Sequence, residues 1–310
     1  MWTITSLRLK KDRRGVSNII VVVLSLVIIV VIASNVVLWS YQMNQLDWEK
    51  IHENIEITIV GDTLTAHEET TTVGGTNYRT LRLVGADHAG TNFDVPSTVG
   101  RHLCFRVVYP LTGISSIPAS TWTIYYQVQR YRTATGAVTL PVCHADVNIL
   151  IRKSDDTIRT TIATNVANSP NFAAALDVWE TVSGTYAWSD YSVVDQTDYL
   201  EVDFYIQVTT AGTRSAPRMR IDDSSLPVAD QTRVALSLEI FTFKNKGSLT
   251  SRLVSLWVNN STSHKRYAID VIVNSGETVS YLSTDIRFPD GQYMVKVATQ
   301  RGNVAVYSGV

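Results

Sequence analysis

The sequence predicts an amino-terminal apolar α-helix followed by a mainly β body of two β-sandwiches, the first jelly-roll-like and the second immunoglobulin-like. Three observations predict this. No charged residue occurs between Val16 and Leu46. Beyond residue 60, apolar side chains recur with a period of two, the mark of strands with one buried face. Turn-forming stretches such as Asn245-Lys246-Gly247 and Pro289-Asp290-Gly291 separate these runs. The organisation that follows is a basic leader over residues 1–15, a hydrophobic helix and stalk over 16–56, a first sandwich over 57–230 and a second over 231–310.

The chain has 310 residues, is 45% hydrophobic and carries a formal net charge of -1. That apolar fraction excludes a disordered chain, and the near-neutral balance argues against a groove that tracks nucleic-acid phosphates. Sixteen glycines and eight prolines exclude collagen-like fibres, and two cysteines cannot build a disulfide framework or a four-cysteine zinc site.

The helix is the most informative element. Arg8, Lys10, Lys11, Arg13 and Arg14 precede it, offset only by Asp12. Ile19 to Leu38 then form a 20-residue apolar core. As a helix this core spans roughly 30 Å, the thickness of bilayer hydrocarbon. A single span must satisfy its backbone internally, which leaves helix as its only conformation. Trp39 and Tyr41 follow at the level of an aromatic belt. Positive charge before the span and Asp47, Glu49, Glu53 and Glu56 after it place the amino terminus in the cytoplasm and the rest outside. Apolar spacing from Trp39 to about Ile57 continues the helix as a stalk, and a strand is expected to begin near Glu56. Ser17, Asn18, Ser25, Ser34 and Asn35 either hydrogen-bond between helices or are simply tolerated in a lone span.

Three fates fit this terminus: a signal peptide cut near Ala33, a permanent anchor, and a processed leader. The stretch KKDRRGVSNIIVVVLSLVIIVV resembles the amino terminus of archaeal type IV pilin-like proteins, over about residues 8–45. The resemblance implies a prepilin peptidase cutting between Gly15 and Val16, and partners that are membrane lipid and other pilin-like subunits, met through the helix. Ile20 stands where bacterial pilins carry a glutamate, so the archaeal version is the one implied. Physically such a leader is a switch. Withdrawing the helix with five basic residues attached would cost about 2.5–3.5 kcal/mol for each charge drawn through hydrocarbon. Without residues 1–15 the chain carries 22 basic and 27 acidic residues, a charge of -5. The remaining length of about 295 residues is large for a repeating shaft subunit and suits a tip or adhesin.

In the first sandwich the clearest strand is Tyr199–Thr210, with Leu200, Val202, Phe204, Ile206 and Val208 inward and Glu201, Asp203, Gln207 and Thr209 outward. Trp122–Val128, Val147–Ile151, Tyr78–Val84, Leu103–Tyr109, Tyr186–Val194 and Arg218–Asp222 are further strands. A short helix is expected over Asn171–Val178. The second block offers strands from Leu236, at Leu253–Val258 and Tyr267–Val273, and from Tyr293. It is similar in architecture to the small adhesion-type sandwiches of microbial surface proteins.

Candidate sites are few. Cys104 and Cys143 lie on predicted strands and form either a disulfide or two buried thiols. His102 and His144 flank them, but Cys143 and His144 point to opposite faces, so no metal ligand set is expected there. Asn259 and Asn260 open overlapping glycosylation sequons on a turn. Trp179, Tyr186, Trp188 and Tyr191 could stack on sugar rings of surface glycans or fill a core. Asp155-Asp156, Asp190, Asp195, Asp198 and Asp222-Asp223 could hold structural calcium or be solvated turns. No GxSxG, P-loop or GxGxxG occurs. His67-Glu68 begins like a zinc-protease motif, but Thr71 stands where its second histidine would be. A catalytic function is therefore not expected. The two functions in play are a pilin-like surface subunit or adhesin, and a membrane-anchored extracellular carbohydrate-binding protein that does not polymerise.

Overall fold

A computed structural model describes residues 13–83, 85–286, 288 and 291–309, with side chains from Asn18 onward except that of Ile59. Most of the leader, Val84 and the Pro289-Asp290 part of the expected turn lie outside the described residues. The chain divides into two compact units, residues 1–53 and 54–310.

The first unit is one helix, α1 (Arg13–His52). Apolar core and stalk are continuous, because nothing between Val16 and His52 interrupts the ladder: there is no proline and no glycine. Lys50 and His52 sit in the last turn, where positive charge suits the carbonyl end of the helix dipole.

The second unit is mainly β. Among the described residues its strands are β1 (Ile55–Val73), β2 (Thr76–Arg82), β3 (Ala89–Asp94), β4 (Gly100–Pro110), β5 (Ser116–Ile117), β6 (Ser120–Arg132), β7 (Val142–Arg152), β8 (Ile158–Val166), β9 (Trp179–Trp188), β10 (Tyr191–Ser192), β11 (Tyr199–Thr210), β12 (Ser215–Asp223), β13 (Arg233–Asn245), β14 (Ser251–Asn259), β15 (His264–Val273), β16 (Thr278–Ser283), β17 (Tyr293–Thr299) and β18 (Val304–Gly309). A mixed sheet of 12 strands runs β3-β12-β6-β13-β1-β2-β4-β11-β7-β8, with β9 added to β6 and β16 to β13. Its one described parallel pair is β2 with β4, at Arg79–Val107 and Thr80–Val108. The sheets β15-β14-β17-β18 and β10-β5 are separate.

Two apolar cores result. The larger sheet turns over itself, so that Trp122, Ile124, Tyr126 and Val128 of β6 meet Leu200, Val202, Phe204 and Ile206 of β11. Tyr126 and Phe204 touch edge to face at 5.9 Å. The second core lies under the β15-β14-β17-β18 sheet and contains Leu253, Leu256, Val295 and Val297. It also takes Ile55, Ile57 and Val60 from β1 and Phe241 and Phe243 from β13. Both strands go on into the first core, β1 through Leu64 and Ala66 and β13 through Leu236, Leu238 and Ile240.

The expected helix at Asn171–Val178 is not formed. The segment follows extended and turn backbone because its peptide groups are bonded outside it. Phe172 donates to the Cys143 carbonyl. Ala173 and Ala174 donate to the Glu180 carboxylate, and the Ala174 carbonyl accepts from Arg130.

Candidate functional site

Between Ile19 and Leu38 every Val, Ile and Leu of α1 is 51–67% exposed, so no face of the helix is committed to a core. A helix apolar all round is the pattern of a lipid environment rather than of a packed amphipathic element. Asn18–His52 is long and apolar enough to be a membrane span, and a signal sequence has the same character. The Ser25 hydroxyl donates to the Val21 and Val22 carbonyls at 2.8 and 2.9 Å, so this polar group is satisfied within its own helix. Gly15 and Val16 lie on helical backbone.

The cysteines are not joined; both thiols are free. β11 lies between β4, which carries Cys104, and β7, which carries Cys143. Two strand spacings, roughly 9–10 Å, exceed the reach of a disulfide. Burial pushes the Cys143 thiol up to about 12, which keeps it protonated and unreactive.

The aromatic candidates are engaged in packing. Trp188 is buried and stacks on Trp122 with centroids 4.3 Å apart, its indole N–H donating to the Ile117 carbonyl. Tyr186 and Tyr191 pack against the same core. Trp179 carries the guanidinium of Arg220 4.1 Å from its ring. These four residues therefore make no open sugar platform. Asn259 ends β14, and the Asn260 side-chain oxygen closes the turn by accepting from the Thr262 and Ser263 amides at 3.0 and 2.7 Å.

The aspartates are engaged one by one. Asp155 and Asp195 close turns with Thr157 and Thr197. Asp190 accepts from the Ala119 amide and Asp198 pairs with Arg159. Thr76 and Tyr78 each donate to Asp156 at 2.6 Å and hold its carboxyl below the usual range. The same contact and burial push Tyr78 up to about 12, burial being the larger cause. Asp223 accepts from Ser225 and Arg220.

The expected solvent face of β11 is covered instead. Glu201 and Asp203 are buried, at 0% and 5% exposure. Arg152 pairs with Glu201 and Arg106 reaches Asp203 at 3.5 Å. Beside them Arg101 pairs with Asp146 and lies 3.5 Å from the centre of the Tyr205 ring. The charged side chains of neighbouring strands thus shield one another. Burial, and then the Glu201 charge, raise the Asp203 carboxyl from 3.8 to about 7.

A groove of about 700 Å³ opens where β2 and β4 diverge beyond Thr80 and Val108, lined by Tyr109, Tyr199 and the hydroxyls of Thr80, Thr242 and Ser280. It holds no group of convergent acids or bases.

Imidazoles and carboxylates converge elsewhere. The register of β1 on β2 shifts between His67 and Thr70, and this bulge carries Glu68 and Glu69 next to His67. The β2–β3 connection supplies Asp87 and His88, and β12 supplies Asp222. His67 and Asp222 are both fully buried. The His67 Nδ1 lies 3.4 Å from an oxygen of Asp87 and 3.4 Å from one of Asp222. His88 lies 3.2 Å from Asp87 and 3.3 Å from Glu68. Asp222 accepts from the Asp87 amide at 2.9 Å and from the Glu68 amide at 3.0 Å, so it fixes both segments that carry the other groups. Three overlapping trios here have their donor atoms within 4.8 Å of one another, an arrangement able to hold a cation. Sequence reasoning weighed His67-Glu68 and Asp222 separately and did not join them, because 20 and 155 positions separate Asp87 and Asp222 from His67.

No family model and no curated protein sequence matches the chain. Among solved structures, the chain is similar at 9% identity to the infectious bursal disease virus Gx strain structure, with a TM-score of 0.21 over 64% of this chain and 39% of that one. A GH2 beta-galacturonidase from Eisenbergiella tayi matches at 8% identity with a TM-score of 0.17, over 83% of this chain and 43% of that one. The chain thus spans about two fifths of the length of these proteins, and likeness this faint carries no argument about function.

Proposed function

We propose that the chain is a pilin-like surface subunit or adhesin of an archaeal type IV filament, anchored or assembled through α1. The observation that carries this reading is an apolar stretch of α1, Ile19 to Leu38, exposed on every face, with five basic residues and the Gly15–Val16 junction ahead of it in sequence. In this reading the amino terminus begins in the cytoplasm and the β body lies outside the membrane. Cleavage after Gly15 removes the charges that hold the helix in place. The freed helix then packs against copies of itself, and the body presents surface contacts rather than catalysis.

The body suits such a role as a mainly β head. We read its second core as immunoglobulin-like. The support is two antiparallel layers, β15-β14-β17-β18 over β1-β13-β16. The jelly-roll-like reading of the first core rests on antiparallel strands from one sheet folded face to face.

Mass spectrometry of the native amino terminus tests the proposal. A chain starting at Val16 and recovered in filaments is the expected result. A chain starting at Met1 and confined to membranes overturns it and leaves the non-polymerising anchored protein.

A further inference from the structure

We propose that His67, Asp87 and Asp222 form a binding site for a divalent transition-metal ion of the zinc class, with His88 poised on its open side. Spacing, chemistry and electrostatics each support the site, and none depends on what the amino-terminal helix does.

The spacing comes first. The His67 Nδ1 stands 3.4 Å from each of two carboxylate oxygens, one from Asp87 and one from Asp222. An N–H donor has one hydrogen and favours one acceptor at about 2.9–3.0 Å. Two acceptors at an equal, longer distance are poor hydrogen-bond geometry. They are good ligand geometry: metal–nitrogen and metal–oxygen bonds of about 2.0–2.1 Å place neighbouring tetrahedral ligands about 3.3–3.4 Å apart.

The donor set indicates the kind of ion. Imidazole with carboxylates suits zinc and its neighbours, whereas calcium and magnesium take oxygen. Electrostatics asks for a cation as well. Asp222 is fully buried, and among the described ion pairs its partners are His67 and His88, with no lysine or arginine. Glu68 and Asp87 bring further negative charge to the same spot. A buried carboxylate without a counter-charge is costly, and a divalent ion supplies one.

The site is also built to be held and reached. Both oxygens of Asp222 accept backbone N–H groups, from Asp87 and Glu68, which orient the carboxylate before any ion arrives. The side chains of Asp87 and His88 are 51% and 41% exposed, which gives an ion an entry path, and the His88 Nε2 already lies 3.2 Å from Asp87 and 4.0 Å from Asp222. Once bound, the ion joins the β1 bulge, the β2–β3 connection and the end of β12. Its effect is to staple these segments.

The test uses the full chain in detergent, stripped of metal and titrated with Co²⁺ and then Zn²⁺. The expected result is one equivalent bound, the visible absorption of tetrahedral cobalt, its bleaching by zinc, and a melting temperature raised by about 5 °C or more. Asp87→Asn, an exposed change that leaves the metal-free melting temperature within about 1 °C of the parent, lowers zinc affinity at least about tenfold. A parent chain that melts cooperatively but shows no saturable binding overturns the proposal. So does binding of unchanged affinity in Asp87→Asn.

Discussion

Gly184 shows how little room the first core leaves. It sits within β9, and a Cβ there would lie 1.9 Å from the carbonyl oxygen of Ala167. That carbonyl is already fixed, since it accepts the Tyr126 hydroxyl at 2.7 Å. Gly184→Ala must therefore push backbone away from a core tyrosine. A cost of about 2–3 kcal/mol is expected, read as a fall of about 5–10 °C in melting temperature. Asp203 is the second telling residue. Its folded carboxyl titrates near 7 against an ordinary 3.8, so the fold prefers the protonated form. The stability this group contributes is complete below the ordinary value and is lost as pH rises through about 7. Asp203→Asn keeps the protonated shape at every pH. Between pH 5 and pH 8 the parent should therefore lose about 2–4 °C more than the variant in paired thermal melts. An equal pH response in the two proteins would show that Arg106 and Arg152 neutralise the pair.

At the scale of elements, burial decides which patterns could be read. β11 was legible to the residue, because Leu200, Val202, Phe204, Ile206 and Val208 all face one core. Its other face was misread. Glu201 and Asp203 look solvated in sequence, and only strand order reveals that Arg152 and Arg106 from neighbouring strands cover them. FAAALDV looked helical because alanine and leucine favour helix, but Glu180 and Arg130 bind its backbone in another shape. The cation site was illegible for a related reason. A β-bulge and a long-range pairing assemble it, and neither has a local signature. α1 was read almost whole, since lipid-length apolarity needs no partner to be recognised. That independence makes a prediction. Ile28→Arg with Ile32→Arg adds about 5–7 kcal/mol to insertion. The parent should remain in the alkali-resistant membrane fraction and the doubly substituted chain should leave it; retention of both would show that α1 does not act as a membrane span.

The whole β body hangs on two long strands. β13 pairs with β1 along most of its length, with β6 through Arg233–Leu236, and with β16 through Glu239–Lys244. It therefore stands in the middle of the large sheet, between the β3-β12-β6 side and the β1-β2-β4-β11-β7-β8 side. Its inward residues divide between the cores, Leu236, Leu238 and Ile240 in one and Phe241 and Phe243 in the other. β1 divides in the same way, with Val60 in the second core and Leu64 in the first. A cut at residue 230 would remove β13, separate the two sides of the sheet, take Val234, Leu236, Leu238 and Ile240 out of the first core and leave Ile55, Ile57 and Val60 of the second without their partners. Burial of large side chains is worth about 1.5–3 kcal/mol each, more in sum than the 5–15 kcal/mol that typically holds a domain folded. A fragment of residues 54–230 should accordingly fail to fold, while residues 54–310 melt in one cooperative transition. Calorimetry of both checks this: a folded shorter fragment, or two resolved transitions in the longer one, would mean that the shared strands do not couple the cores. If the coupling holds, strain applied to the second core reaches the first through two continuous strands, β1 and β13, rather than through a flexible linker.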